Sequence, residues 1–326
     1  MKGKDCRKRK IGFLLAMILA LTLLAGCGQE KAKEEGTGPK PIKIAVLPVE
    51  DTMPMLVAKE KGYFAEEQLQ VELVNFQSPV EQSNGMQSGE MDGMQTDMIV
   101  AALLKDSGLD LKITSITLGV TPQEGRFAIL ASPQSNINSL EDLKGKNIGI
   151  SYNSIIEYVT DGLLTAGGID PAEVKKTAIP KIPVRMEMLF SNQIDAIVVP
   201  DPLVSFAEHQ GAKVIAQDTE KNLSQNVLFF TQKTIEENRD GVEAFYRAYR
   251  KAVDDLNDHP EDFRTLLVEN INIPEPIADA YQLQHYPQPQ VPGETDVQNI
   301  LDWMNKKALL KNDLKYQDLV QEIKTP

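Results

Sequence analysis

The chain has 326 residues and a formal net charge of −13, with 34 Lys and Arg against 47 Asp and Glu. That acidic balance excludes nucleic acid and an anionic membrane surface as partners, since both need a basic footprint. With only two cysteines the fold must be held by its cores, and the length suffices for one large or two medium ones.

The first ten residues, MKGKDCRKRK, carry six basic groups and one acid, and residues 11–26 carry none. A positive start, a short apolar run and small closing residues describe an export signal over 1–26. The uncharged run sits near the lower limit of the ~17–25 residues that a spanning helix needs, which disfavours a retained anchor helix. The run closes on Leu24-Ala25-Gly26-Cys27, which resembles the lipobox of bacterial lipoproteins. In that family a diacylglycerol is attached to the cysteine sulfur and the signal is cut off before it. The resemblance implies that Cys27 is a lipid anchor. Two or three acyl chains, at ~0.8 kcal/mol per buried CH₂, hold a protein at a membrane. Cleavage there would take the net charge to −18 and leave no thiol for a disulfide. Residues 27–40 are charged and poor in large apolar groups, as a flexible tether is.

From Pro41 onward short apolar runs alternate with helical stretches. Strands are expected at 42–47, 71–76, 92–95, 111–118 and 126–132, with helices at 54–62, 79–89 and 97–108 between them. A second set follows: a short helix at 139–146, a strand at 147–150, a helix at 154–168, then further alternation to residue 217. A strand returns at 226–232. Residues 233–326 read almost wholly as helix, including 236–258. The alternation predicts an α/β protein with mainly parallel sheet. Two connectors, at 119–126 and 217–226, flank the middle unit. One lobe would therefore comprise 41–124 and 226–326, and the other 125–225. A domain entered and left by two adjacent crossings can close like a jaw on a ligand.

Several segments together carry a family resemblance. PMLVAKEKGYFAEEQLQVELVNF, QSGEMDGMQTDM, NSLEDLKGKNIGISYNS, SNQIDAIVVPDP and EAFYRAYRKAVDDLNDHPEDF stand in an order and spacing similar to the solute-binding proteins of ABC importers for nitrate, sulfonates, taurine and thiamine precursors. The resemblance runs from about Pro41 to Phe263. It implies a two-lobed, hinged α/β fold of the periplasmic-binding-protein type (type II), with two hinge crossings and a helical C-terminal tail. It also implies capture of a small organic solute outside the membrane, delivery to an ABC permease with its ATPase, no cofactor, and a monomer.

Ligands of parallel α/β sheets bind at the carboxyl ends of strands, where helix N-termini expose free N–H groups. The candidates there are Thr52 and Met53 after the first strand, Gln77 and Ser78 after the second, and Gln95, Thr96 and Asp97 after the third. In the second lobe they are Ser151, Tyr152, Asn153 and Ser154, and Asp201 between two prolines. Thr52, Ser78, Thr96, Asp97, one residue of 151–154 and Asp201 could each instead be helix N-caps. The aromatic residue that the family often has before the acid-Pro pair is replaced here by Pro200. Acids are plentiful at these ends, including Asp51, Asp97, Glu157 and Asp201, and Arg126 is the one base near them. That balance points to a neutral or cationic solute, such as a pyrimidine-type vitamin precursor, over nitrate or a sulfonate.

No metal site and no catalytic constellation is expected. His209, His259 and His285 are scattered, and no metalloprotease, nucleophile-elbow or phosphate-loop motif is present. The fungal pyrimidine-precursor synthase that shares the family's fold carries a cysteine-rich motif lacking here. Met86, Met91, Met94 and Met98 share no face and are read as core. A lipoprotein that senses a solute without transporting it remains the alternative to a transport receptor.

Overall fold

The computed structural model describes residues 39–324 except 123, 220–222, 272 and 274. The export signal, Cys27 and the tether up to residue 38 lie outside the described residues. In chain order the elements are β1 (Ile42–Val46), α1 (Met53–Glu60), α2 (Tyr63–Glu66), β2 (Val71–Asn75), α3 (Pro79–Gln87), β3 (Gly93–Asp97), α4 (Met98–Asp106) and β4 (Leu111–Leu118). Then come β5 (Phe127–Ala131), β6 (Asn147–Ile150), α5 (Ile155–Ala166), β7 (Lys175–Ala178), α6 (Ile182–Phe190), β8 (Ala196–Pro200), α7 (Leu203–His209) and β9 (Lys213–Gln217). The chain closes with β10 (Asn226–Thr231), α8 (Gln232–Glu237), α9 (Arg239–Asp258), α10 (Arg264–Ile271), α11 (Glu275–Ala278), α12 (Glu294–Lys306) and α13 (Tyr316–Leu319).

The strands build two five-stranded sheets, ordered β2-β1-β3-β10-β4 and β7-β6-β8-β5-β9. Each sheet with its helices forms one lobe. Both sheets are mixed, which corrects the expectation of a mainly parallel arrangement. β1 runs parallel to β2 and β3, but β10 is antiparallel to both β3 and β4. In the second sheet β6 is parallel to β7 and β8, while β5 is antiparallel to β8 and β9. β10 is the returning strand, inserted between β3 and β4 after the chain has built the second sheet. The central strands are enclosed: every residue of the apolar β5 and of β3 is buried, the polar Gln95, Thr96 and Asp97 at the end of β3 included. Gly93 belongs to that packing, since a Cβ there would lie 2.6 Å from the Phe229 carbonyl oxygen.

The chain passes between the sheets twice, and the two passages touch. Gly119 has φ +91, and a Cβ there would stand 2.8 Å from the Ser224 carbonyl oxygen. Asp218 and Phe127 clasp each other: the Phe127 N–H donates to Asp218 Oδ1 at 2.7 Å, and the Asp218 N–H to the Phe127 carbonyl at 3.1 Å.

Helix boundaries follow local chemistry. Pro54 stands in the first turn of α1, and Gly62 at φ +76 follows its end. Ser78 Oγ accepts from the Glu81 N–H at 3.2 Å and caps α3, with Pro79 at its first position. α9 lays Val242, Phe245, Tyr246, Tyr249, Val253 and Leu256 against the first lobe. Phe245 stacks on Phe64 at 5.3 Å between ring centroids. Met86, Met94 and Met98 are buried in the core and Met91 packs against it.

Three local expectations differ from the structure. Residues 139–146 form only a 3-10 turn at Glu141–Leu143. The stretch 236–258 is broken at Asn238, whose amide grips Lys40 at both its N–H and carbonyl, each at 2.9 Å. The C-terminal part is not wholly helical, because residues 281–293 run without helix past Pro287, Pro289 and Pro292.

Candidate functional site

The carboxyl ends of the parallel strands of both sheets point into one cleft between the lobes. A small cavity of ≈ 50 Å³ lies there. From the first lobe it is lined by Leu47, Val49 and Asp51 after β1, Pro79 at the start of α3, Gln95, Thr96 and Asp97 at the end of β3, and Asn226 at the start of β10. From the second lobe come Phe127 at the start of β5, Ser154, Ile155 and Ile156 opening α5, Ile182 and Arg185 on α6, and Pro200 ending β8. The lining thus mixes polar groups with apolar side chains, the usual composition of a small-molecule pocket.

Asp97 does two structural tasks. Its Oδ1 accepts from the Val100 N–H at 2.9 Å, capping α4 within its own lobe. Its Oδ2 accepts from the Ile155 N–H at 3.0 Å, at the N-terminus of α5 in the other lobe. α5 needs this outside partner because the Ser154 hydroxyl is turned back to the Ser151 carbonyl at 2.8 Å. Burial raises the Asp97 carboxyl to about 6 against the pull of these N–H groups.

Asp51 accepts from the Gln95 side-chain amide and, at 3.4 Å, from the Thr117 hydroxyl. Beside it, Glu50 accepts from the Tyr281 hydroxyl and, at 3.0 Å, from the Gln284 N–H, fastening the 281–293 segment to the strand end. Burial pushes both carboxyls up to about 7. Arg185 is 1% exposed. Its guanidinium donates to the backbone carbonyls of Ile179 at 2.9 Å, Val198 at 2.7 Å and Pro180 at 3.4 Å. Among the described residues it has no carboxylate partner, and burial lowers its pKa to about 10.

The sequence candidates divide accordingly. Gln95, Thr96, Asp97 and Ser154 line the cavity. Thr52 stands just behind it, donating to the Leu47 carbonyl at 2.9 Å. Ser151 is buried nearby, its hydroxyl oxygen without a hydrogen-bond partner among the described residues. Met53 is a correction: it is fully buried in the core of the first lobe instead of exposed at the strand end. Gln77 is exposed and meets the other lobe through its backbone, its carbonyl accepting from the Ile182 N–H at 3.4 Å. Ser78 is the α3 cap already described. Tyr152 points away from the cavity, 43% exposed, with its hydroxyl on the Lys176 carbonyl. Tyr152 and Asn153 line a separate groove with Val80, Val100 and Leu103. Asp201 accepts from Ser205 N–H and Oγ at 2.9 and 2.8 Å, and caps the first turn of α7. Its carboxylate stands 3.6 Å from Arg126.

Arg185 was missed, and it corrects the reading of Arg126 as the one base near these strand ends. The signal was present: a single base inside the otherwise apolar run IPVRM. Asp51, Asn226 and the apolar lining side chains were also outside the candidate set.

A model of the family described as "NMT1/THI5 like" matches residues 50–263. The chain belongs to the NMT1/THI5-like family. A Bacillus subtilis protein named as a putative aliphatic sulfonates-binding protein is 28% identical over 277 residues, 79% of this chain and 81% of that protein. A Legionella pneumophila 4-amino-5-hydroxymethyl-2-methylpyrimidine phosphate synthase is 29% identical over a shorter stretch, 39% of this chain and 38% of that protein. The longer of these two matches is to a protein named as a binding protein, the shorter to one named as an enzyme. Among solved structures, the alkanesulfonate-binding protein SsuA from Xanthomonas axonopodis pv. citri, bound to MOPS, superposes with a TM-score of 0.75 at 16% identity, covering 87% of this chain and 99% of that one. The nitrate-binding protein NrtA from Synechocystis superposes at 0.68 and 15% identity, over 85% and 84%. The fold of this family member is therefore the two-lobed periplasmic-binding-protein fold expected from its sequence. No helix among the described residues is long and apolar enough to cross a membrane.

Proposed function

We propose that the chain is a lipid-anchored receptor that captures a small organic solute outside the membrane and delivers it to an ABC importer. The observation that carries this reading is the cavity whose walls come from both lobes. Residues Gln95, Thr96 and Asp97 meet Ser154, Ile155 and Arg185 across it. A solute held there bridges the lobes and favours their closed arrangement, the difference a permease could read. The family and the names of the relatives support a solute of sulfonate, nitrate or pyrimidine-precursor size. Cys27, at the end of the lipobox-like tetrapeptide, supplies the membrane anchor.

The test is a thermal-shift screen of residues 28–326 against nitrate, taurine, alkanesulfonates, aromatic acids, aminopyrimidines, thiamine and riboflavin. A true solute at 100 times its Kd adds about 2.7 kcal/mol of stability. A shift from one class alone is the expected result, and a screen with no shift would count against the receptor reading. For the anchor, cells fed an alkynyl fatty acid should label the wild-type protein and leave Cys27→Ala unlabelled. Equal labelling of the two would refute the anchor.

A further inference from the structure

The cavity is lined by a base and an acid that are not paired with each other. Arg185 has five N–H donors, and the three bonds it makes go to carbonyls, which carry no charge. No acid pairs with it among the described residues. Across the cavity Asp51 receives its own backbone N–H, the Gln95 amide and the Thr117 hydroxyl, none of them charged, and no base pairs with it among the described residues. Asp97, the other lining acid, is occupied by the N-termini of α4 and α5. A buried charge without a counter-charge is costly and calls for a partner. Here both line the one cavity, from opposite lobes.

We propose that the solute is dipolar, with an anionic head placed on Arg185 of the second lobe and an ammonium or similar cationic donor placed on Asp51 of the first. The inference rests on the receptor reading above and assigns the charge pattern of that same site. A solute of this kind completes both unpaired groups at once and ties the lobes together through its own length. An anion alone leaves Asp51 uncompensated and adds repulsion from it. A cation alone leaves Arg185 in the same position. The two N–H donors that Arg185 has left fit a carboxylate or a sulfonate equally, so the head-group class is decided by binding.

The test uses calorimetry on residues 28–326 with size-matched probes: taurine and ethanesulfonate, β-alanine and propionate, and ethylamine. On the wild type at least one dipolar probe should bind tenfold or more tighter than its anion-only match. Arg185→Gln should weaken both members of that pair at least tenfold, and Arg185→Lys should restore part of the loss. Asp51→Asn should erase the advantage of the dipolar member and leave the anion-only match unchanged or tighter. The Asp51→Asn result stands by itself should Arg185→Gln fail to fold. Equal binding of dipolar and anion-only probes, or an advantage that survives Asp51→Asn, would overturn the proposal. A neutral solute that stabilises the wild type while no charged probe binds would overturn it too, and would leave the receptor reading standing.

Discussion

Glu50 and Asp51 are neighbouring carboxyls, each 2% exposed, held at the end of β1. Both are raised by burial to about 7, from ordinary values near 4. The folded protein therefore holds protons that the unfolded chain has released between about pH 4 and 7. The consequence has a definite sign: stability is greatest below the unfolded pKa and falls as pH rises through 7. Each group contributes a slope of at most about 1.4 kcal/mol per pH unit across that window. Glu50→Gln, which stays neutral, should equal the wild type near pH 4 and exceed it in urea-unfolding stability near pH 8. A gap that does not grow with pH would refute the assignment of Glu50 as a burial-raised group. That these acids were visible in the sequence and their burial was not has a simple cause. Burial comes from Tyr281 and Tyr286, more than two hundred residues downstream, whose hydroxyls close over Glu50. Arg185 is a different case: its acceptors lie within thirteen residues, on β8 and on the turn after β7, and the lone base in an apolar run was the legible sign.

Helices α3, α4 and α5 all begin at the cleft, and each solves its N-terminus differently. Ser78 caps one helix from its own lobe. Asp97 caps two, one in each lobe. Removing a cap costs about 1 kcal/mol. Ser78→Ala should therefore lower unfolding stability by about 1 kcal/mol and Asp97→Ala by about 2 kcal/mol, measured in urea. Equal losses would mean that the contact to α5 carries no weight in solution. At this scale much was legible. Strand and helix alternation was readable because buried strands are apolar runs and the caps Ser78 and Asp97 are residues of the right type at the right place. Strand direction was not, since whether β5 and β10 run with or against their neighbours depends on partners far along the chain. Nor could a local reading tell that Met53 turns inward beneath α9 while Asp51, two residues earlier, faces the cleft.

Across the whole molecule the C-terminal part binds the lobes together away from the cleft. Lys307, following α12, pairs with Glu157 and Asp161 on α5, and Trp303 Nε1 donates to Asp161 at 3.3 Å. Trp303 also meets Tyr158 edge to face at 5.3 Å. Glu157 is only 2% exposed, so losing this lysine leaves a buried acid with the Asn153 N–H at 2.8 Å and, as counter-charge, Lys176 at 3.7 Å. Lys307→Met should speed hydrogen exchange in α12 and α5 together and leave α9 protected. Unchanged exchange in α5 would show that the tail does not restrain the second lobe.

The position of β10 also sets an order in time. The first sheet needs β10 between β3 and β4, yet residues 226–231 are made only after every strand of the second sheet. Until then β3 and β4 have no shared neighbour, and each offers a bare row of N–H and carbonyl groups. During synthesis the half that begins the chain must wait for the half inserted into it, which can fold first. A chain stopped short of residue 226 would be born with a split sheet and a natural tendency to pair with its copies.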